Sequence, residues 1–116
     1  MTAAMKKLLF ICGKNRLRSP TAEQVFSQEP GVESVSAGIG RDADEPVSPY
    51  LLEWADIIFV MEKSHLTKLR KRFGKHLHRQ RVICLDIRDR YEYMDPDLVA
   101  ILKRKVGRHL GVALRG

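Results

Sequence analysis

Residues able to hold and attack a phosphate crowd one short stretch, Cys12-Gly13-Lys14-Asn15-Arg16-Leu17-Arg18-Ser19. Cysteine attacks as the thiolate, and the positive end of a helix favours that charged form. Backbone N–H groups of a tight loop converging on a helix start form a cradle for an anion. Arg18 can grip two phosphate oxygens with its planar guanidinium. Ser19 can donate its hydroxyl to the sulfur, first as thiolate and later as leaving group. A buried, inert thiol is the commoner fate of a free cysteine. That reading leaves the clustering of Lys14, Arg16 and Arg18 unexplained, since their mutual repulsion calls for an anion between them.

The elements on either side would hold this loop in place. The apolar run Leu8-Leu9-Phe10-Ile11 predicts a first strand over 7–11, central and parallel. Ser19-Pro20 predicts a helix with Ser19 as N-cap and Pro20 in the first turn, its apolar face carried by Ala22, Val25 and Phe26, with Pro30-Gly31 as its stop. Alternation over 32–37 predicts a half-exposed edge strand, and 38–46 a polar loop. Ser48-Pro49 starts a short second helix through Trp54, broken at Asp56 before the apolar strand Ile57-Ile58-Phe59-Val60. Ser64 is the expected cap of a third helix running to Phe73, with Gly74 as its stop. A fourth strand follows over 81–85, then a loop over 86–94. Asp95-Pro96 caps a last helix with the stripe Val99, Leu102, Val106 and Leu110. Strict alternation of strand and helix implies an α/β fold: three layers, a four-stranded parallel sheet with right-handed crossovers, and the cysteine loop at the end of the first strand. Ligands of such folds bind at the carboxyl ends of strands, where Cys12, Gly38, Met61 and the residues after Asp86 fall.

With 116 residues, 44% hydrophobic and 30% charged, the chain is expected to be a single domain over 1–116. No segment is long and apolar enough for a membrane span, so no membrane partner is expected. Residues 1–7 are basic, but the apolar run after them is short for a leader and lacks a small-residue cleavage site. Cys12 and Cys84 show no disulfide framework spacing, which suits a reducing cytoplasm. No cofactor is called for, and the scattered His65, His76, His78 and His109 do not form a metal set. The net charge is +7. Between Glu62 and Asp86 every charged residue is basic, from Lys63 through Arg81. A solvated face explains this run best; an acidic partner such as nucleic acid is the lesser reading, since no aromatic residues interleave for base stacking.

Cleaving a phosphate ester also requires a proton for the leaving oxygen. Asp89, in the loop after the fourth strand, is the preferred donor. Asp95 is the competitor, but its place before Pro96 is already explained as an N-cap.

These stretches resemble the low-molecular-weight protein tyrosine phosphatase family, which includes related arsenate reductases. Cys12 through Pro20 is similar to its Cys-x5-Arg-Ser-Pro loop, with Asn15 matching. Ser36-Ala37-Gly38, Ile57 through Leu66, and Asp86 through Tyr91 are similar to three further family stretches. The resemblance implies a cysteine-dependent phosphatase acting on a phosphorylated protein, as a tyrosine phosphatase, or on a small phosphomonoester. It implies Cys12 as nucleophile, Arg18 as phosphate clamp and Asp89 as general acid. Gly13, Lys14, Asn15, Arg16, Leu17 and Ser19 would form the substrate loop, Asn15 supported by Ser19 and Ser36, with Tyr91 on the pocket wall. Arg90 stands where the family has Pro, Lys14 where it prefers Gly, and Leu17 where many members carry a second Cys. The segment from Gly38 to Trp54 is short, which should open one side of the pocket. A non-catalytic phosphate-binding protein is the alternative reading, and arsenate reduction a third.

Overall fold

The computed structural model describes residues 5–110. Four strands, β1 (Lys6–Cys12), β2 (Val32–Gly38), β3 (Ile57–Val60) and β4 (Arg81–Cys84), form one sheet. The order is β2-β1-β3-β4, and every neighbouring pair is parallel. The central place of β1 follows from its sequence: Leu8, Leu9, Phe10 and Ile11 are fully buried, as a strand covered on both faces must be.

The two faces are filled by alternate residues. Leu8, Phe10 and Cys12 of β1 join Ile57 and Phe59 of β3 against α1 (Arg18–Phe26) and α4 (Pro96–Leu110). Leu9, Ile11, Ile58 and Val60 face α2 (Pro49–Trp54) and α3 (Lys63–Phe73). Phe10 stacks between Phe26 and Phe59, with ring centroids 5.5 and 5.3 Å apart. Burying each such side chain contributes about 1.5–3 kcal/mol.

From β1 the chain crosses to β2 on one side, then returns to β3 on the other. The carboxyl end of β1 therefore lies at the point where strand order reverses, the usual crevice of an open α/β sheet. Cys12 is the last residue of β1 and pairs in register with Gly38, the last of β2.

Several local expectations are corrected. Ser19 does not cap α1; Leu17 occupies that position and offers no side-chain bond, while the Ser19 hydroxyl turns to Cys12. Glu62, not Ser64, caps α3, and it does so reciprocally with His65. Gly74 follows α3 with ordinary right-handed geometry and opens a single 3-10 turn. On α4 the buried stripe is Leu98, Leu102 and Val106, and Val99 is only half-buried. Asp95 does cap α4, accepting the Asp97 N–H at 2.9 Å, and Ser48 caps α2 through the Leu51 N–H.

Candidate active site

Residues 13–17 turn tightly between β1 and α1, held by the loop that follows β2. The N–H groups of Ile39, Gly40 and Asp44 donate to the carbonyls of Cys12, Gly13 and Lys14 at 2.8, 2.8 and 3.1 Å. A trans peptide sets its N–H opposite its C=O. Pinning three successive carbonyls outward thus aims the N–H groups of Gly13, Lys14 and Asn15 the other way, and the Asn15 N–H donates to Cys12 Sγ at 3.2 Å. This close packing explains Gly38: a Cβ there would lie 2.4 Å from Ala43 Cβ and 2.8 Å from the Gly13 carbonyl oxygen. Asn15 bends the loop with φ of 58°, a left-handed geometry that Asn tolerates better than most residues.

Cys12 Sγ is buried and lies 2.9 Å from Ser19 Oγ. The same hydroxyl is 2.8 Å from Asn15 Oδ1 and 3.3 Å from the Ala37 carbonyl. One proton cannot serve all three. The Ser19 hydroxyl donates to Asn15 Oδ1, and a rotation of the same O–H turns it to the sulfur when that sulfur is charged. Ser36 is not part of this support. Its hydroxyl and N–H both donate to Glu23 Oε1 at 2.7 Å.

Arg18 opens α1, is 4% exposed, and is held from two elements. Its Nη1 donates to Glu62 Oε2 at 2.6 Å and to the Ile87 carbonyl at 2.8 Å. Its Nε lies 3.7 Å from Asp89 Oδ1. The hydrogen bond from Arg18 holds the Glu62 carboxyl below the usual carboxylate range, with burial pulling the other way. With no side-chain cap at Leu17, the first N–H groups of α1 are left for a ligand.

A cavity of about 390 Å³ opens over the loop, lined by Cys12, Gly13, Lys14, Arg16, Leu17, Arg18, Glu62, His65 and Asp89. Residues from three separate stretches, 12–18, 62–65 and 89, therefore meet at one end of the sheet, and no residue between 38 and 54 lines the space. Asn15 and Ser19 lie buried beneath it as supports. Tyr91 does not reach it. Its ring packs on the α4 side of the core and carries the Arg90 guanidinium 5.4 Å above its centroid, so Arg90 is drawn to Tyr91 rather than to Asp89.

The crowding of cations is also resolved differently from expectation. Lys14 pairs with Asp42 at 2.7 Å and Arg16 with Asp44 at 3.3 Å, while Arg18 has Glu62. Carboxylates of the chain relieve the repulsion, so it does not by itself require a bound anion. The sequence reading missed these partners, along with Glu62 and His65. Glu62 stands one residue beyond Met61, at a strand end already expected to line the site, and that position was the available signal.

No protein-family model matches the sequence, and no curated protein matches it. Solved structures do. The tyrosine phosphatase Wzb from Escherichia coli K30, in complex with phosphate, superposes with a TM-score of 0.73 at 20% identity, covering 92% of this chain and 97% of that one. The chain has the low-molecular-weight tyrosine phosphatase fold. The YwlE arginine phosphatase from Geobacillus stearothermophilus gives a TM-score of 0.72 at 20% identity, covering 91% and 93%. YfkJ from Bacillus subtilis gives 0.71 at 20% identity, covering 96% of both chains. The sheet order and the position of Cys12 after β1 fit this fold.

Among the described residues, no helix is long and apolar enough to cross a membrane, and no cluster of His, Cys, Asp and Glu could hold a metal ion.

Proposed function

We propose that this protein hydrolyses phosphomonoesters through a phosphocysteine on Cys12, with phosphotyrosine in a protein as its substrate class and the cytoplasm as its setting. The observation that carries the reading is the placement of Cys12 Sγ under inward-facing loop amides, 2.9 Å from the Ser19 hydroxyl, in one cavity with Arg18. The likeness to structures titled as tyrosine and arginine phosphatases supports the phosphatase class.

In the first step the Cys12 thiolate attacks phosphorus. An S–P bond forms, the P–O ester bond breaks, and the leaving oxygen takes a proton from the Asp89 carboxyl. Arg18 and the loop amides hold the equatorial oxygens, where negative charge is concentrated. In the second step water attacks the phosphocysteine and gives its proton to the Asp89 carboxylate. The sulfur leaves as thiolate, stabilised by the Ser19 hydroxyl, and inorganic phosphate is released. Asp89 suits this part because it is exposed enough to meet solvent and the leaving group, whereas Asp95 is engaged as a cap.

Arsenate reduction through the two cysteines has little support. Cys12 faces α1 and α4, while Cys84 packs with the opposite face of the sheet. Hydrolysis of an aryl phosphate by wild type and Cys12→Ser tests the proposal. The variant is expected to lose turnover and keep phosphate binding. Phosphate binding by a wild type that hydrolyses no phosphomonoester would instead favour the non-catalytic reading.

A further inference from the structure

His65 lines the cavity, and neither the resemblance nor the mechanism gives it a part. It sits in the first turn of α3 and is 5% exposed. Its Nδ1 accepts the Glu62 N–H at 3.1 Å, completing the reciprocal cap of that helix. A ring nitrogen that accepts a backbone N–H carries no proton, so the ring is neutral and its hydrogen is on Nε2. Burial, and next the charge of Arg18, hold His65 below its ordinary value near 6.5, with Glu62 acting in the opposite sense.

Nε2 has no hydrogen-bond partner among the described residues. Its nearest carboxylate oxygen, Glu62 Oε2, is 3.8 Å away and committed to Arg18. No buried side-chain nitrogen or oxygen among the described residues lacks a partner, so Nε2, which has none, is open to the cavity, where its N–H is free to meet a water or a ligand. The ring borders the cavity above Gly13, where a Cβ would stand 3.8 Å from Nε2. Gly13, with no side chain, adds no group between Nε2 and the loop below it.

We propose that His65 is a further ligand for the bound phosphoryl group, donating from Nε2 to an oxygen on the Gly13 side. The role rests on the phosphatase reading of the cavity. Unlike Arg18, His65 supplies direction without charge. It therefore favours tetrahedral oxyanions with an acceptor on that side, and it keeps the donor count high while Glu62 occupies part of Arg18.

The two ring nitrogens do separate jobs, and substitution separates them. In His65→Asn the side-chain oxygen can stand in for Nδ1, keeping the cap and removing the donor. In His65→Gln the amide N–H can stand in for Nε2, keeping the donor while the close-range cap is lost. Inorganic phosphate is titrated into each by calorimetry, with thermal unfolding alongside. The expected result is about tenfold weaker phosphate binding in His65→Asn at unchanged Tm, the scale of one hydrogen bond to a charged group. His65→Gln should bind within about threefold of wild type, with a lowered Tm. Wild-type affinity in His65→Asn would overturn the assignment, and so would equal weakening in both His65 variants, which marks the ring as packing or cap alone. A wild type that binds no phosphate would overturn this role and the phosphatase reading together; phosphate binding by wild type and His65→Asn alike removes only the role of His65.

Discussion

Ser19→Ala removes a single hydroxyl from the most tightly determined part of the site. That oxygen is fully buried, 2.9 Å from Cys12 Sγ and 2.8 Å from Asn15 Oδ1. Two effects follow, and they differ in where they appear. The folded state loses a buried partner for Asn15, which holds φ of 58°, at a cost of about 1–3 kcal/mol. The second effect falls on catalysis. In the proposed mechanism the departing sulfur gains negative charge when water breaks the phosphocysteine, and Ser19 is the hydroxyl 2.9 Å from it. A hydrogen bond to a charged group contributes about 1.5–3 kcal/mol, so hydrolysis of the intermediate should slow by roughly 10- to 150-fold. The formation step, in which sulfur attacks, should slow less, because the unassisted thiolate is the better nucleophile. Stopped-flow release of an aryl alcohol separates the two: Ser19→Ala should show a full initial burst followed by a much slower steady phase. A steady-state rate within twofold of wild type, or a burst rate that falls as far as the steady rate, would refute this division of labour.

Asp89→Asn should lower turnover about a hundredfold or more, most for substrates with poor leaving groups, while Asp95→Asn should leave rates and Tm nearly unchanged because Asn also caps well; rate against leaving-group pKa distinguishes them. Folding stability should fall with pH below about 6.5, because the depressed value of His65 lets the unfolded chain take up a proton that the folded chain refuses. The contribution is intact above 6.5 and lost as pH falls through the folded value; Glu62 adds a second loss of the same sign below its ordinary 4.5, and urea titrations across pH 4–8 should show both. Phe10→Ala should cost about 3–5 kcal/mol by opening a cavity between Phe26 and Phe59, read as a lower urea midpoint at unchanged slope. Mild peroxide should oxidise Cys12 without joining it to Cys84. Cys84 aligns with Val60 and Ile11 across two strand spacings, roughly 10 Å, beyond disulfide reach, and mapping of oxidised peptides checks it.

Much of the architecture is legible in the sequence because local pattern and burial agree there. β1 and β3 are short apolar runs, and each is buried on both faces; Ser48-Pro49 and Asp95-Pro96 open helices as their chemistry dictates. The failures occur where a polar group is claimed by a partner distant in sequence. Ser19 has the form of a cap, but its hydroxyl is spent on the sulfur of Cys12 and the side chain of Asn15. Ser64 loses the cap of α3 to Glu62 because His65 returns the bond, a pairing no rule for Ser would suggest. The ties of Lys14 and Arg16 to Asp42 and Asp44 depend on two loops meeting side by side, which the pairing of Cys12 with Gly38 brings about. Tyr91 was expected at the pocket, yet its apolar ring is better buried against the core beside α4. Cys12 and Arg18 are legible together because the strand end, tight loop and helix start that bring them into one cavity are contiguous; Glu62, His65 and Asp89 come from the ends of β3 and β4, and only their place after a strand marks them.

The central claim is that phosphorus passes through Cys12. Rapid acid quench of wild type during turnover of an aryl phosphate, followed by peptide mass spectrometry, tests it most directly. A phosphoryl group on the peptide carrying Cys12, formed as fast as the alcohol is released and absent from an inactive Cys12→Ala variant, is the predicted result. Hydrolysis that continues in Cys12→Ala, or wild-type turnover with Cys12 unmodified throughout, would contradict it.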